Sequence, residues 1–390
     1  MKRLRVGVVY GGRSSEHEIS LASAAAIFAN LDRERYEPIP IKIERDGHWF
    51  LSDRPPFSTS AAEVIERTRN GSHGSGPIQR EIHPLVHPGD ETLAIIERDV
   101  TATTSESEKS SHALISTLTL DVIFPIVHGP YGEDGTLQGL FELANIPYVG
   151  AGVLGAAVGM DKSIMKALFV ERGLPVVNHE TVLRREWQQD KSEFLARLIG
   201  RLDFPIFVKP ANLGSSVGIS RTTDRTELSA AIDLAAEFDR KIVIEEGVAS
   251  CREIECAIIG NNMPEASVPG EVITSRDFYD YEAKYLDHSS ETVIPAVLTA
   301  REIKKITSLA IAAFRSVDCA GMARVDFLIN SDNGHIFVNE INTHPGLTNI
   351  SMFAKMWAAS GVGYSALLDR LIALAIERHV EKQETRTNPT

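Results

Sequence analysis

The stretch GMARVDFLINSDNGHIFVNEINTHPG, from Gly321 to Gly346, restricts the fold more than any other. Two apolar runs, MARVDFLI and HIFVNEIN, flank SDNG, and that composition predicts two strands joined by a tight turn. Alternate side chains on a strand share a face. Arg324 and Asp326 therefore lie on one face of the first strand, and Glu340 and Asn342 on one face of the second. If the faces coincide, two carboxylates and an amide oxygen converge beside a guanidinium. Such oxygen donors suit a hard cation such as Mg²⁺. The same alternation also suits a hairpin that turns its charges to solvent. The hairpin alone leaves both readings open.

A chain of 390 residues is long enough for two or three domains. Its net charge of −13 argues against a general nucleic-acid binder, though not against ATP, which needs only a few local lysines. Cys251, Cys256 and Cys319 have neither paired metal spacing nor the even count of a disulfide framework, so a reducing cytoplasm is expected. No apolar run approaches the roughly 18 residues of a membrane helix. The opening MKRLRVGVVYGG reads as a first strand, not a secretory signal.

Arg5–Tyr10 is a β-branched run followed by GGRSSEHE and then ISLASAAAIFANL. Strand, glycine turn and helix open an α/β unit, with Glu16 just before the helix. It is not a GxGxxG fingerprint, so no dinucleotide site is expected. Glu16 serves equally well as a favourable first-turn acid or as a ligand. Tyr36–Ile43 is a second strand, with HWFL as a hairpin continuation. Residues 55–112 weaken into loop-like composition, with short strands possible at Ile82–Val86 and Thr92–Ile96, and read as a surface insertion. LDVIFPIV is a buried strand feeding HGPYGEDGTLQGLFELANI. His128 and Glu16 thus both follow the carboxyl ends of strands, where ligands collect in open α/β sheets.

After Gly150 a helix begins near Lys162. PIFVK ends in Lys209, and PANLGSSVGIS follows. Gly214, Ser215, Ser216 and Gly218 can bring backbone N–H groups to phosphate oxygens, or simply turn a hairpin. KIVIE ends in Glu245 and Glu246, and the next strand carries Glu253 and Glu255 on one face. FYDYEAKYLDHSSETVIP has no clear period and reads as a long loop over a site. Arg301–Val317 and Gly363–His379 read as helices, with EKQETRTNPT a frayed tail.

The order of these parts is more telling than any one of them. A strand lysine, a glycine-serine loop, adjacent acids and an acid–acid–amide hairpin follow the arrangement of an ATP-grasp domain. With GGRSSEHEISLASA, FPIVHGPYGEDGTLQG, MDK, FVKPANLGSSVG, IEEGV, REIECAIIG, FYDYEAKY, GMARVDF and NEINTHPG, nearly the whole chain resembles the D-alanine–D-alanine ligases. The resemblance implies a Rossmann-like α/β domain with a parallel sheet over 1–148, carrying the insertion near 55–112. A two-lobed α+β ATP-grasp domain over 149–380 would follow (central lobe about 149–248, C-terminal lobe about 249–380), and then a tail over 381–390.

The implied reaction is ATP-dependent: one D-alanine is converted to its acylphosphate, and the amine of a second attacks it. A D-lactate or D-serine ligase is the alternative. By the same resemblance, Glu16 holds the first ammonium and His128 lies near that substrate's carboxylate. Arg324 and the Gly346 N–H stabilise the reacting centre, and Ser351 and Met352 receive the second D-alanine. Lys162, Lys209, Ser216 and Lys284 would contact phosphates, and Glu245, Glu246, Val248 and Glu253 the adenine and ribose. Asp326, Glu340 and Asn342 would hold two Mg²⁺ or Mn²⁺ ions. Tyr285 with Ser215 and Glu16 would latch a lid, and its presence favours a peptide over a depsipeptide product. A cytoplasmic homodimer, binding neither membrane nor nucleic acid, is also implied. His344 and Leu347 depart from the apolar residue and phenylalanine usual in the family.

Overall fold

The computed structural model describes the chain apart from Met1, Phe57, Thr59, Ala61, Ile65, 67–77, 87–92, 100–113, Ser216, 274–290 and 387–390. The chain forms two units. The first comprises Met1–Val153, Gly346–Ala354 and Val362–Thr390, and the second Leu154–Pro345 and Lys355–Gly361.

In the first unit, β1 (Leu4–Gly11) leads into α1 (His17–Asn30), β2 (Tyr36–Ile43) and β3 (Trp49–Leu51). Then come β4 (Ile78–Pro84), β5 (Leu93–Asp99), β6 (Leu114–Leu118), β7 (Val122–Ile126) and α2 (Thr136–Leu143). These strands make one sheet in the order β6-β5-β4-β3-β2-β1-β7. Only β2, β1 and β7 run parallel; from β2 outward every pairing is antiparallel. The expected all-parallel sheet is therefore a mixed one. The reason lies in the stretch expected to be a surface insertion. Its strands add successive antiparallel neighbours to the sheet, and Ile82 and Leu93 join the cluster of Val9, Ile41, Ile123, Leu137 and Phe141. Burying such side chains is worth about 2 kcal/mol each, which favours sheet extension over a free loop. Beyond β7, Tyr148 adds only a parallel bridge to Ile123.

The second unit begins with α3 (Val153–Met160) and α4 (Lys162–Glu171); the helix expected near Lys162 is α4, and the connection before it is itself helical. β8 (His179–Leu183), α5 (Arg184–Gln189), α6 (Lys191–Ile199), β9 (Ile206–Pro210), β10 (Ser220–Thr222), α7 (Arg225–Phe238) and β11 (Lys241–Glu246) follow. The four strands form an antiparallel sheet ordered β10-β9-β11-β8. Asp224 caps α7 by accepting from the N–H groups of Thr226 and Glu227. Leu228, Ala231, Ile232 and Ala235 recur at helical spacing and are buried with Ile206, Val208, Ile242 and Ile244. One face of this sheet is thus committed to α6 and α7, which leaves the opposite face for polar groups.

A second sheet of this unit is built from β12 (Cys251–Gly260), β13 (Glu265–Ala266), β14 (Gly270–Ile273), β15 (Glu291–Val293), β16 (Gly321–Asn330) and β17 (Ile336–Asn342). Its order is β15-β14-β12-β16-β17, with β13 paired to β12. Helix α8 (Ala300–Ser316) starts at a capping box between Thr299 and Glu302 and buries Ile306, Ala310, Ala313 and Phe314. The closing elements are α9 (Met352–Ala359) and α10 (Tyr364–Gln383).

A continuous second domain to residue 380 was expected. Instead α10 belongs to the first unit. Arg378 donates to the carbonyls of Gly150 and Tyr148, and its guanidinium lies 4.4 Å from the centre of the Tyr148 ring. Among the described residues no single helix is long and apolar enough to cross a membrane.

Candidate functional site

Hairpin β16–β17 forms as its sequence predicts. Its register sets Arg324 directly opposite Asn342 and Asp326 directly opposite Glu340, with an irregularity after Asp326. Opposite residues share a face, so all four side chains project to one side. β12 adds a fifth group to this face: Glu255 pairs in register with Asp326, and its carboxylate lies 3.2 Å from Arg324 Nε. Glu253 lies two residues from Glu255 on the same side. Burial alone would lower the Arg324 pKa, but Asp326 and Glu255 outweigh it and hold the guanidinium well above its ordinary value. Asn342 Oδ1 accepts from the His344 N–H at 2.9 Å, and His344 itself is buried.

The four-stranded sheet carries the basic groups. Lys209 and Glu245 lie on the same face of neighbouring strands, and Lys209 Nζ donates to Glu245 Oε2 at 2.7 Å. Glu245 is buried, and its other oxygen lies 3.1 Å from Lys166 Nζ. Burial would raise the Glu245 carboxyl, but the charges of Lys166 and Lys209 prevail and hold it at about 2. Helix α4 lies along this face. Asp161 caps it by accepting from Ser163 and Ile164 and also pairs with Lys241 at 2.6 Å, while Thr181 donates to Ser163 at 3.0 Å. Lys162 Nζ donates to the Leu213 carbonyl at 2.7 Å and lies 3.7 Å from Glu340. That carboxylate is the anionic partner which a cation at a helix start needs. Between β9 and β10, Ser215 and Gly218 both take positive φ.

Glu246 points away from Glu245. Its carboxylate accepts from Asn178 at 2.6 Å and from the Asp203 N–H at 3.2 Å. Val248 follows Gly247, whose N–H donates to the Pro205 carbonyl at 2.7 Å.

The first unit carries a separate group of residues. Ser14 Oγ donates to the His128 carbonyl at 2.6 Å and accepts from the Glu16 N–H at 3.2 Å, joining the loops after β1 and β7. Gly129 has φ +75°, and a Cβ there would stand 2.9 Å from Glu16 Oε2, so glycine lets the carboxylate sit against the backbone. His128 Nδ1 lies 3.1 Å from Glu133 Oε1. Burial raises the Glu133 pKa and the Glu16 charge adds to it, against the opposing contact with His128. Leu347 is pinned at both ends, its N–H to Ser23 Oγ at 3.4 Å and its carbonyl to the Tyr364 hydroxyl. The same segment holds Gly346 and Ser351. Ser351 Oγ accepts from the Thr348 N–H at 3.0 Å, and Met352 begins α9.

Of the sequence candidates, Glu16, His128, Gly346, Ser351 and Met352 thus fall in the first unit. Lys162, Lys209, Ser215, Glu245, Glu246, Val248, Glu253, Arg324, Asp326, Glu340 and Asn342 fall in the second. Ser216, Lys284 and Tyr285 lie outside the described residues. Sequence reasoning did not single out Lys166, Glu255 or Glu133 as site residues. Lys166 stands one helical turn after Lys162, a spacing that puts both on one face and could have flagged it.

Two family models match the chain: "D-ala D-ala ligase N-terminus" over residues 5–151 and "D-ala D-ala ligase C-terminus" over residues 168–373. The D-alanine–D-alanine ligase of Heliobacterium modesticaldum is 44% identical over 99% of this chain and 98% of its own length. That of Geobacillus thermodenitrificans is 45% identical over 98% of each chain. The solved D-alanine–D-alanine ligase of Coxiella burnetii matches with a TM-score of 0.78 at 37% identity, covering 98% of this chain and 97% of that one. The D-Ala:D-Ser ligase of Enterococcus faecalis matches with a TM-score of 0.77 at 32% identity, over 96% of this chain and 100% of that one.

Proposed function

The chain belongs to the D-alanine–D-alanine ligase family and uses ATP to join two D-alanine molecules, and we propose that its two units divide that work. The product, D-alanyl-D-alanine, serves peptidoglycan synthesis. The first unit receives the amino acids: Glu16 binds the ammonium of the first D-alanine, and His128 its carboxylate. Ser351 and Met352 receive the carboxylate of the second. The second unit holds ATP between two ATP-grasp lobes, its two sheets. Lys162, Lys209, Ser216 and Lys284 meet the phosphates, and Glu246, Val248 and Glu253 the adenine and ribose. Glu245 was expected beside them, but with one oxygen against Lys209 and the other against Lys166 it acts on the nucleotide through Lys209 instead.

The observation that carries this reading is the register of the hairpin, with Arg324 across from Asn342 and Asp326 across from Glu340. Asp326, Glu340 and Asn342 offer two carboxylates and an amide oxygen. That set fits Mg²⁺ or Mn²⁺, because Mg²⁺ is commonly held by one or two carboxylates together with substrate phosphates. When bound, such ions offset the charge of the phosphate groups. Arg324 orients the carboxylate of the first D-alanine and stabilises the oxyanion with its planar fork.

The γ-phosphoryl group passes to a carboxylate oxygen, which gives D-alanyl phosphate and ADP. The amine nitrogen of the second D-alanine then bonds to the carbonyl carbon. The carbon–oxygen bond to phosphate breaks, and the amine loses a proton. The presence of Tyr285 in the sequence favours an amine as the second nucleophile. We place the enzyme in the cytoplasm, where ATP is available, as a homodimer.

A phosphate-release assay with D-alanine, D-lactate and D-serine tests the product. Turnover is expected with ATP and D-alanine alone; release that requires added D-lactate or D-serine overturns the assignment.

A further inference from the structure

Lys166 is assigned no contact with either substrate, yet its side chain is only 1% exposed. Its ammonium is held from two sides. It donates to the Asn339 carbonyl at 2.9 Å and lies 3.1 Å from Glu245 Oε1. The second oxygen of Glu245 accepts from Lys209 at 2.7 Å. Two cations, the buried Lys166 and the half-buried Lys209, therefore share one buried carboxylate.

We propose that Lys166 is a positioning residue that neutralises Glu245 and so keeps the charge of Lys209 available for a nucleotide phosphate. The proposal rests on the phosphate role of Lys209 given above. Without Lys166, Glu245 and Lys209 would form a balanced buried pair. An incoming phosphate would then compete with a carboxylate 2.7 Å from the ammonium and be repelled by it. With Lys166 present, Glu245 is already balanced, and the three groups together keep one net positive charge, set against Glu340 and Glu253, whose charges also reach Lys209. Asn339 holds Lys166 in place from β17, the strand that also bears Glu340. Lys166 itself is enclosed, so its charge acts through Glu245 and not by touching the nucleotide.

The charge balance can be tested in the full-length protein by calorimetric titration with ATP and Mg²⁺, with thermal unfolding run on every variant. Lys166→Met leaves the balanced Glu245–Lys209 pair, so the chain still folds. ATP affinity is expected to fall about tenfold or more, while KM for D-alanine stays within about twofold. Lys166→Gln, which loses the charge but keeps a donor for Asn339, is expected to behave alike and serves if the methionine variant does not fold. In Lys166→Met/Glu245→Gln the carboxylate is gone as well, and ATP affinity is expected to return to within about threefold of native.

A purely structural lysine would show no such rescue. If Lys209→Met leaves ATP affinity unchanged, the phosphate role of Lys209 itself is lost. If Lys209→Met weakens ATP but loss of Lys166 does not, or the double variant stays as weak as the single, the neutralising role of Lys166 is overturned and the site stands.

Discussion

Arg324 holds Asp326 by a fork of two equal bonds, Nε to Oδ1 and Nη2 to Oδ2, each 2.7 Å. The residues stand two apart on one strand. The arginine is proposed to meet the substrate carboxylate, and the aspartate a cation. In this structure each satisfies the other, and Glu255 adds a second anion at 3.2 Å. Buried charges of this kind persist only when paired. The pairing thus holds both side chains in place until substrate and cation take over as partners.

Arg324→Lys keeps the positive charge and loses the fork. The rate of ligation is expected to fall at least about a hundredfold, because a point charge cannot replace two directed donors at an oxyanion. ATP affinity should change by less than about threefold, since Arg324 is not assigned to the nucleotide. Single-turnover phosphate release and ATP titration measure the two separately. A near-native rate in the lysine variant removes the fork from the mechanism.

Asp326→Asn takes one carboxylate from the proposed cation set and leaves Glu255 to pair with Arg324, so folding should survive. The Mg²⁺ concentration for half-maximal rate is expected to rise by about tenfold or more, in line with the loss of one charged ligand. Mg²⁺ titrations of native and variant enzyme at saturating ATP provide the measurement. An unchanged Mg²⁺ requirement would take Asp326 out of the cation set.

Glu133 bears on the first substrate through His128. Glu133→Ala removes the carboxylate 3.1 Å from His128 Nδ1, so the ring loses the partner that fixes its orientation. KM for D-alanine at the first site is expected to rise about tenfold, by analogy with other partners that orient a histidine, with ATP affinity unaltered. Glu133→Gln should recover most of the loss, because its amide oxygen can still accept from the ring. Steady-state kinetics on both variants decide this, and equal KM values in the native and alanine forms count against it.

Much of this was legible in the sequence, and the exceptions share a physical cause. The hairpin could be placed from alternation and SDNG alone, since strand period and turn chemistry are local properties. Lys209 followed from a short strand ending in a glycine-serine loop. The N-terminal sheet was misread because residues 55–112 are polar and turn-rich, while the strands within them gain their stability from neighbours far along the chain, such as Trp49–Leu51. Glu255 and Lys166 were passed over for a related reason. Glu255 looked like one acid among several until the β12–β16 register set it across from Asp326. For Lys166 the local spacing puts it on the face of Lys162, but nothing local announces that its end meets Glu245. The return of α10 to the first unit likewise depends on Arg378 reaching Tyr148 and Gly150, a contact without local signature.

His17, at the start of α1, offers a test of pH dependence in the first unit. It is buried, and its Nδ1–H donates to the Gly12 carbonyl at 2.7 Å. Burial lowers its pKa below the ordinary value of 6.5, and the nearby charge of Arg45 pushes the same way against the bond to Gly12 and the charge of Glu18. The unfolded chain therefore binds this proton more readily than the folded one. Stability from the neutral ring is complete above pH 6.5 or so and is lost as pH falls below it. The loss amounts to about 1.4 kcal/mol for every tenfold difference in proton affinity between the unfolded and folded chain. Urea unfolding at pH 7.5 and pH 5.5 should show the native chain losing more stability on acidification than His17→Gln, whose amide can still donate to Gly12 but takes up no proton. Parallel losses in the two proteins would mean that His17 is not the group responsible.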